Sequence, residues 1–420
     1  MDKFVIQGGR SLSGTISVSG AKNATLALMP AAILGSGTSH LRNTPALRDV
    51  ATMTSLLRTM GMRIDLRDNI LTVDSSVIDR FEAPYEHVKK MRASIYVLGP
   101  LIARYGRARV SLPGGCAWGP RPVNLHIEGL RRLGAEIELE GGYIIAKAGR
   151  LHGARIHFDV SSVGATGNVM MAASLAGGTT LIENAAMEPE ITALAEFLIA
   201  MGARIDGTGT NRLEIQGVDS LHPADVVTIP DRIEAGTFLI AGAITGGNVT
   251  LEQVVPEHLS AITAKLEDAG CTIRTGPGTV SLSAPSSLRP VDVTAAIYPG
   301  FPTDMQAQWT SLMSVAPGTS VVTDSIYFDR FKHVPELTRL GADIELKENA
   351  AVIRGVTRLT GAKVMSTDLR ASASLILAGL VASGTTEVLR VYHIDRGYEA
   401  IEKKLQSLGA EIRREAGEEF

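Results

Sequence analysis

Met201-Gly202-Ala203-Arg204-Ile205 and Leu408-Gly409-Ala410-Glu411-Ile412 are one phrase written twice, and the chain writes it six times. The other copies are Met60-Gly61-Met62-Arg63-Ile64, Leu133-Gly134-Ala135-Glu136-Ile137, Ala269-Gly270-Cys271-Thr272-Ile273 and Leu340-Gly341-Ala342-Asp343-Ile344. Their glycines stand at 61, 134, 202, 270, 341 and 409, so the steps are 73, 68, 68, 71 and 68 residues. A fixed internal period decides architecture before any single residue is interpreted. A second phrase runs in phase with the first: Gly37-Thr38-Ser39, Gly178-Thr179-Thr180, Gly318-Thr319-Ser320 and Gly384-Thr385-Thr386, each ahead of a strand-like stretch such as Leu181-Ile182-Glu183. The chain therefore reads as six copies of one α/β unit.

Residues 372–415 show the unit most cleanly. Ser372 to Ala382 is small and apolar on every side, the composition of a helix buried all round. Gly384 marks its end, and Thr385 to Val391 has the β-branched content of a strand. Glu399, Lys403 and Lys404 then alternate at helical spacing with Ile401, Leu405 and Leu408, which predicts an amphipathic helix closed by Gly409. A unit this small and apolar needs neighbours to cover it. Three repeats per domain is the simple division, with the midpoint near Val227 to Asp231. The strand Phe4 to Gln7 precedes the first complete unit and is free to complete the last one. The expected domains are residues 22–229, and residues 1–21 together with 230–420.

Composition narrows the function. Charged residues make up 20% and the net charge is −3, which carries no electrostatic footprint of a nucleic-acid binder. Apolar runs such as Ala24 to Leu34 are too short to span a membrane, and Pro30 is expected to break that one. The first residues lack the basic head and long apolar core of a secretory signal, and two cysteines are too few for a disulfide framework, so a cytoplasmic setting is expected. No histidine and cysteine spacing suits a metal. Nothing in the sequence sets an oligomeric state.

Two kinds of segment carry chemistry. Residues 111–126 hold three glycines and three prolines around Cys116, which predicts a surface loop with hinges and an accessible thiol; the loop alone fits an incidental cysteine as well as a reactive one whose thiolate Arg121 favours. The second kind recurs in register. Lys22, Arg92, Arg232 and Arg370 precede the buried helices of their units, and the equivalent places read Ser161-Ser162-Val163-Gly164 and Pro302-Thr303-Asp304-Met305 in the other two. Helix N-termini present free N–H groups and suit anions, the more so with added cations. Helix caps and surface charges would explain one such place; six in register point to a shared anion-binding face.

These residues carry a resemblance. Gly20-Ala21-Lys22-Asn23, Pro113-Gly114-Gly115-Cys116, Arg121-Pro122-Val123, Ser162-Val163-Gly164-Ala165-Thr166, the run from Phe301 to Gln308, Asp368-Leu369-Arg370-Ala371-Ser372 and His393-Ile394-Asp395-Arg396-Gly397-Tyr398 closely resemble the UDP-N-acetylglucosamine 1-carboxyvinyltransferases, a family of enolpyruvyl transferases. The resemblance covers Met1 to about Arg413. It implies a two-domain inside-out α/β barrel of six βαβαββ-type units, three per domain, with the active site in the cleft between domains. It also implies transfer of the enolpyruvyl group of phosphoenolpyruvate to the 3-hydroxyl of UDP-N-acetylglucosamine, releasing phosphate, with no metal or organic cofactor. These two small molecules are the partners it implies, in the first committed step of peptidoglycan synthesis.

By the same resemblance Lys22, Arg121 and Arg396 face the phosphate, while Arg330 and Arg370 face the carboxylate. Bidentate pairing explains the arginine bias. Cys116 matches the acid at the methylene carbon and the residue that fosfomycin alkylates; Asp304 matches the base at the sugar hydroxyl. Asn23, Arg92 and Ile326 match sugar-nucleotide contacts, Arg121, Pro122, Val123, Asn124 and Leu125 the uracil wall, and Ser162, Val163 and Gly164 the diphosphate loop. The chain departs from the family in places. Asn124 stands for the usual Asp, Val160 for a lysine many members carry, Arg48 for Lys, and Tyr327-Phe328-Asp329-Arg330-Phe331 for Phe-Glu-Asn-Arg-Phe. These departures support an alternative, a paralogous enolpyruvyl transferase acting on a different nucleotide or nucleotide sugar.

Overall fold

Each phrase glycine closes a helix. All six have φ between +93° and +106°, a left-handed region that costs a residue with a side chain about 1–2 kcal/mol. The hydrogen bonds around them recur too. Gly202 N donates to Ile199 O and Ala203 N to Leu198 O, both at 2.9 Å; Gly409 N donates to Gln406 O at 2.9 Å and Ala410 N to Leu405 O at 3.0 Å. This Schellman pairing satisfies the last carbonyls of the helix and turns the chain into the strand two residues on, Arg204–Asp206 or Glu411–Ala416.

The computed structural model describes residues 2–113 and 123–417. The chain forms two compact units, Met1–Ser19 with Pro230–Phe420, and Gly20–Ile229. Each unit has its own apolar core and three four-stranded sheets among the described residues. One repeat shows the order: strand Arg155–His157, buried helix Val163–Ala173, strand Thr179–Glu183, outer helix Pro189–Ala200, then strands Arg204–Asp206 and Arg212–Gln216. The first strand lies parallel to the second, the fourth pairs antiparallel with the second, and the third takes the far edge. All six sheets keep that spatial order.

Three sheets are completed by distant chain. Asp2–Gln7 is the fourth strand of the last repeat, antiparallel to Thr385–Leu389 and Glu411–Ala416. Phe4 and Ile6 are fully buried there, each worth about 1.5–3 kcal/mol. Ser13–Ser17 is the first strand of the fourth repeat, parallel to Asn248–Glu252. Val226–Val227 is the first strand of the first repeat, parallel to Thr38–Arg42.

Within each unit the first helices of the repeats lie inside and the sheets outside. Ile233 to Ile244 are buried without exception in helix Arg232–Ile244, as are Leu369 to Leu380 in helix Leu369–Val381. Strands alternate instead: in Arg212–Gln216 the second and fourth residues are buried and the rest exposed, one face on the helices and one on solvent. Outer helices such as Ile401–Ser407 bury a single stripe, Ile401 and Leu405. This is the inside-out α/β architecture, three repeats to a unit.

The chain passes between units at Ser19–Gly20 and Ile229–Pro230. Asp231 N donates to Ser19 O at 2.8 Å in one unit, and Ala21 N to Ile229 O at 2.7 Å in the other. Lys404 Nζ secures the first segment by donating to Ser17 O at 3.0 Å, to Ser19 Oγ at 2.7 Å and to the buried Glu234 carboxylate. Burial pushes the Glu234 carboxyl up to about 7, against the pull of Lys404.

Two expectations need correction. Pro30 does not break the apolar run: helix Lys22–Ala31 carries it in the last turn and tightens into a 3-10 turn, Ala32–Leu34. The Ala32 amide donates to Leu28 O, so the helix end is satisfied despite the missing proline N–H. The loop reading of 111–126 is also too wide, since Ser111 ends strand Arg107–Ser111 and Asn124 opens helix Asn124–Arg132. Among the described residues, no helix is long and apolar enough to cross a membrane.

Candidate active site

The six places found in register are six helix starts. Lys22 opens Lys22–Ala31, Arg92 opens the 3-10 turn Arg92–Val97, Val163 opens Val163–Ala173, and Arg232 opens Arg232–Ile244. Thr303 opens the 3-10 turn Thr303–Met305 ahead of helix Gln306–Met313, and Arg370 is the second residue of Leu369–Val381. Capping is built into the sequence. The Asp368 carboxylate accepts from the amides of Arg370 and Ala371 at 2.8 and 3.0 Å, Asp231 accepts from those of Ile233 and Glu234 at 2.9 and 3.0 Å, and Ser162 Oγ accepts from Ala165 N at 3.3 Å.

In the unit that contains residues 230–420, these starts hold an ion network. Arg330 Nη2 donates to Asp304 Oδ1 and Arg370 Nη2 to Asp304 Oδ2, each at 2.7 Å. The two arginine side chains are 7% and 4% exposed and that of Asp304 24%. Arg330 Nη1 also donates to Thr303 Oγ1 at 2.9 Å, and Thr303 Oγ1 donates in turn to Asp324 Oδ2 at 2.6 Å. Asp324 Oδ1 accepts from the amides of Ile326 and Tyr327 at 2.9 and 2.8 Å, which sets the Ser325–Asp329 loop. Arg370 Nη1 donates to the Tyr398 hydroxyl at 3.3 Å, and that oxygen lies 2.7 Å from Thr237 Oγ1 and 3.3 Å from Gln308 Nε2. Burial works against the charge of Arg370, but Asp304, Tyr398 and Asp231 outweigh it and hold its pKa above the usual arginine value. Burial also raises the Asp368 carboxyl and the Tyr398 phenol. Arg396 ends the 3-10 turn Val391–Arg396, two residues before Tyr398.

In the unit 20–229, Lys22 Nζ stands 3.8 Å from Asp49 Oδ2. Asp49 is buried in the first turn of helix Arg48–Thr59, with Arg48 as its first residue and Asn23 beside Lys22 on the neighbouring helix. A second polar centre lies under helix Val163–Ala173. Asn168 is fully buried, and its Nδ2 donates to Ile95 O and to His126 Nδ1, both at 2.9 Å, while its Oδ1 accepts from Gly99 N at 2.8 Å. Since Nδ1 accepts, the imidazole proton sits on Nε2. That ring edge packs on Gly164, where a Cβ would stand 2.9 Å from His126 Cε1 and Nε2, so glycine is what allows the approach. Burial, with Arg92 beside it, lowers the His126 pKa to about 3, so the ring is a neutral donor at ordinary pH.

The structure thus brings together Asp304, Arg330 and Arg370 in one unit. In the other it joins Lys22 to Asp49, and Arg92 and Gly164 to His126. Val123, Asn124 and Leu125 form the start of helix Asn124–Arg132. Cys116, Arg121 and Pro122 lie outside the described residues. Val160 and Phe328, two departures from the family pattern, are 65% and 70% exposed. Asp49, Asp324 and His126 carry no expectation from the sequence, and Thr303 and Tyr398 appear there only inside quoted motifs; each supports the cluster of its own unit. The sequence signal for His126 was its place at the end of the glycine- and proline-rich segment 111–126. Among the described residues no cluster of three metal-ligating side chains exists.

Comparisons with known proteins give the family and the fold. The family model for EPSP synthase (3-phosphoshikimate 1-carboxyvinyltransferase) matches residues 6–405. The UDP-N-acetylglucosamine 1-carboxyvinyltransferase of Chloroherpeton thalassium is 61% identical over 100% of this chain and 99% of its own length; that of Chlorobium limicola is 59% identical over 100% of both. The crystal structure of the enolpyruvyl transferase NikO from Streptomyces tendae superposes with a TM-score of 0.89 at 28% identity, covering 98% of each chain. An EPSP synthase from Acinetobacter baumannii shares the fold, with a TM-score of 0.75 at 19% identity over 99% of this chain and 100% of that one.

Proposed function

The chain belongs to the EPSP synthase family of enolpyruvyl transferases, and from that premise we propose that it transfers the enolpyruvyl group of phosphoenolpyruvate to the 3-hydroxyl of UDP-N-acetylglucosamine, releasing phosphate. The observation that carries the choice of acceptor is 61% identity over the full length of a UDP-N-acetylglucosamine 1-carboxyvinyltransferase, against 28% to NikO. That contrast disfavours the paralogue reading drawn from Asn124, Val160 and Phe328.

Arg330 and Arg370 hold the substrate carboxylate, a role that suits two buried guanidiniums already closed around a carboxylate. Lys22, Arg121 and Arg396 hold the phosphate. The Ser162 to Gly164 turn, with the neutral His126 beneath it, receives the diphosphate at a helix N-terminus. Asn23, Arg92, Ile326 and residues 121–125 contact the sugar nucleotide. Reaction adds the sugar oxygen to C2 of the enol while Cys116 delivers a proton to the methylene carbon and Asp304 takes the hydroxyl proton. Loss of phosphate and of a methyl proton then restores the enol ether, so atoms and charge balance. Fosfomycin inhibits by alkylating Cys116. The reaction runs in the cytoplasm as the committed entry to peptidoglycan synthesis.

The test is incubation with both substrates followed by mass spectrometry and proton NMR of the nucleotide sugar. An enol ether on the 3-oxygen supports the reading. Unchanged UDP-N-acetylglucosamine in the presence of folded protein opposes it.

A further inference from the structure

Four carboxylates surround Arg330 and Arg370, and three of them are committed elsewhere. Asp231 and Asp368 cap helices by accepting backbone amides, and Asp324 accepts the amides of Ile326 and Tyr327 and the Thr303 hydroxyl. These three are 6%, 5% and 0% exposed. Asp304 differs. Its side chain is 24% exposed and gives one oxygen to each guanidinium at 2.7 Å. That is the arrangement a small carboxylate adopts when two arginines share it. The same residue is the proton acceptor in the reaction proposed above, so while both its oxygens are engaged by the two guanidiniums it is not free to meet the acceptor hydroxyl.

We infer that in the substrate-free protein Asp304 is a tethered occupant of the carboxylate seat formed by Arg330 and Arg370, and that the substrate carboxylate enters by displacing it. The exchange rests on the assignment of that seat to phosphoenolpyruvate, and it couples two events. The entering carboxylate takes over the guanidiniums, and the displaced Asp304 has its oxygens released to accept the proton of the acceptor hydroxyl. The tether has a cost in affinity: a seat filled by its own side chain is open for only a fraction of the time, and apparent binding weakens by that fraction.

The experiment compares wild-type protein with Asp304→Asn by isothermal titration, using two probes. Phosphoenolpyruvate carries a carboxylate and a phosphate; methyl phosphate carries the phosphate alone. The expected result is that Asp304→Asn binds phosphoenolpyruvate about tenfold more tightly or better, while methyl phosphate affinity changes less than twofold. Asp304→Glu, which retains a tethered carboxylate, shows no such gain. Unchanged or weaker phosphoenolpyruvate binding in a folded Asp304→Asn protein overturns the inference. So does an equal gain for both probes, which would mean a general rise in positive potential. Circular dichroism establishes folding first, and Asp304→Ser supplies the same comparison if the amide variant does not fold. Failure of the proposed reaction is separate, because it shows as absent phosphate release by the wild type with UDP-N-acetylglucosamine, whatever the affinity ratio.

Discussion

Arg370→Lys isolates what the guanidinium fork contributes, because it retains the positive charge. Arg370 reaches Asp304 at 2.7 Å through Nη2 and the Tyr398 hydroxyl at 3.3 Å through Nη1. An ammonium has a shorter reach and a single centre, so it cannot hold a carboxylate oxygen in the same fork geometry. One charge-assisted hydrogen bond is worth about 1.5–3 kcal/mol, which converts to roughly 10- to 150-fold in kcat/KM. If the fork holds the substrate carboxylate in the ground state, most of that loss falls on KM for phosphoenolpyruvate rather than on kcat. Stability falls by at most about 1.5–3 kcal/mol, the contribution of the Asp304 contact in the substrate-free protein, since the Tyr398 hydroxyl keeps Thr237 and Gln308 as partners. The assay is continuous phosphate release at varied phosphoenolpyruvate, with urea unfolding of the same preparations. A folded variant with kcat/KM within twofold of wild type would refute the assignment, and a loss confined to kcat would move Arg370 from carboxylate binding to transition-state stabilisation.

Two further outcomes follow from particular geometry. Gly409→Ala meets nothing within 4 Å but must adopt φ +99°, so it costs about 1–2 kcal/mol of backbone strain by denaturant titration; a neutral result would mean that the repeated glycine is not held by its conformation. His126 keeps a pKa of about 3, from burial and Arg92, against its ordinary 6.5. Between those values the unfolded chain binds a proton that the folded chain excludes, so this residue removes stability as pH falls from 6.5 toward 3, by up to about 1.4 kcal/mol per pH unit. Selective nitrogen-15 labelling should find the ring neutral and in the Nε2–H form at pH 5, and a protonated ring there would contradict the role given to Asn168.

The architecture was legible because its signal is periodic and backbone-based. A glycine every 68 to 73 residues marks a left-handed residue that no other side chain accepts cheaply, and the all-apolar runs could be nothing but enclosed helices. The N-terminal strand's place in the last repeat could be argued from an unpaired strand and an incomplete unit. Val226–Val227 could not be placed that way, because two residues carry no periodicity, and their pairing with Leu41 and Arg42 spans the whole unit. The site was legible as residue types and not as contacts. Asp304 is separated from Arg330 by 26 residues and from Arg370 by 66, and only the packing of two helix starts and the loop ahead of helix Val334–Arg339 brings them to one carboxylate. The tautomer of His126 was equally hidden, since it depends on an asparagine 42 residues away whose other bonds fix its orientation.

The central claim is the acceptor, and initial rates of phosphate release from phosphoenolpyruvate test it most directly. UDP-N-acetylglucosamine, UMP, UDP-glucose and shikimate 3-phosphate are compared side by side at equal concentration. The account predicts rapid release with UDP-N-acetylglucosamine, abolished by fosfomycin, and little with the others. Release with UMP or shikimate 3-phosphate but not with UDP-N-acetylglucosamine would contradict it, and would turn Asn124, Val160 and Phe328 into marks of a redirected site.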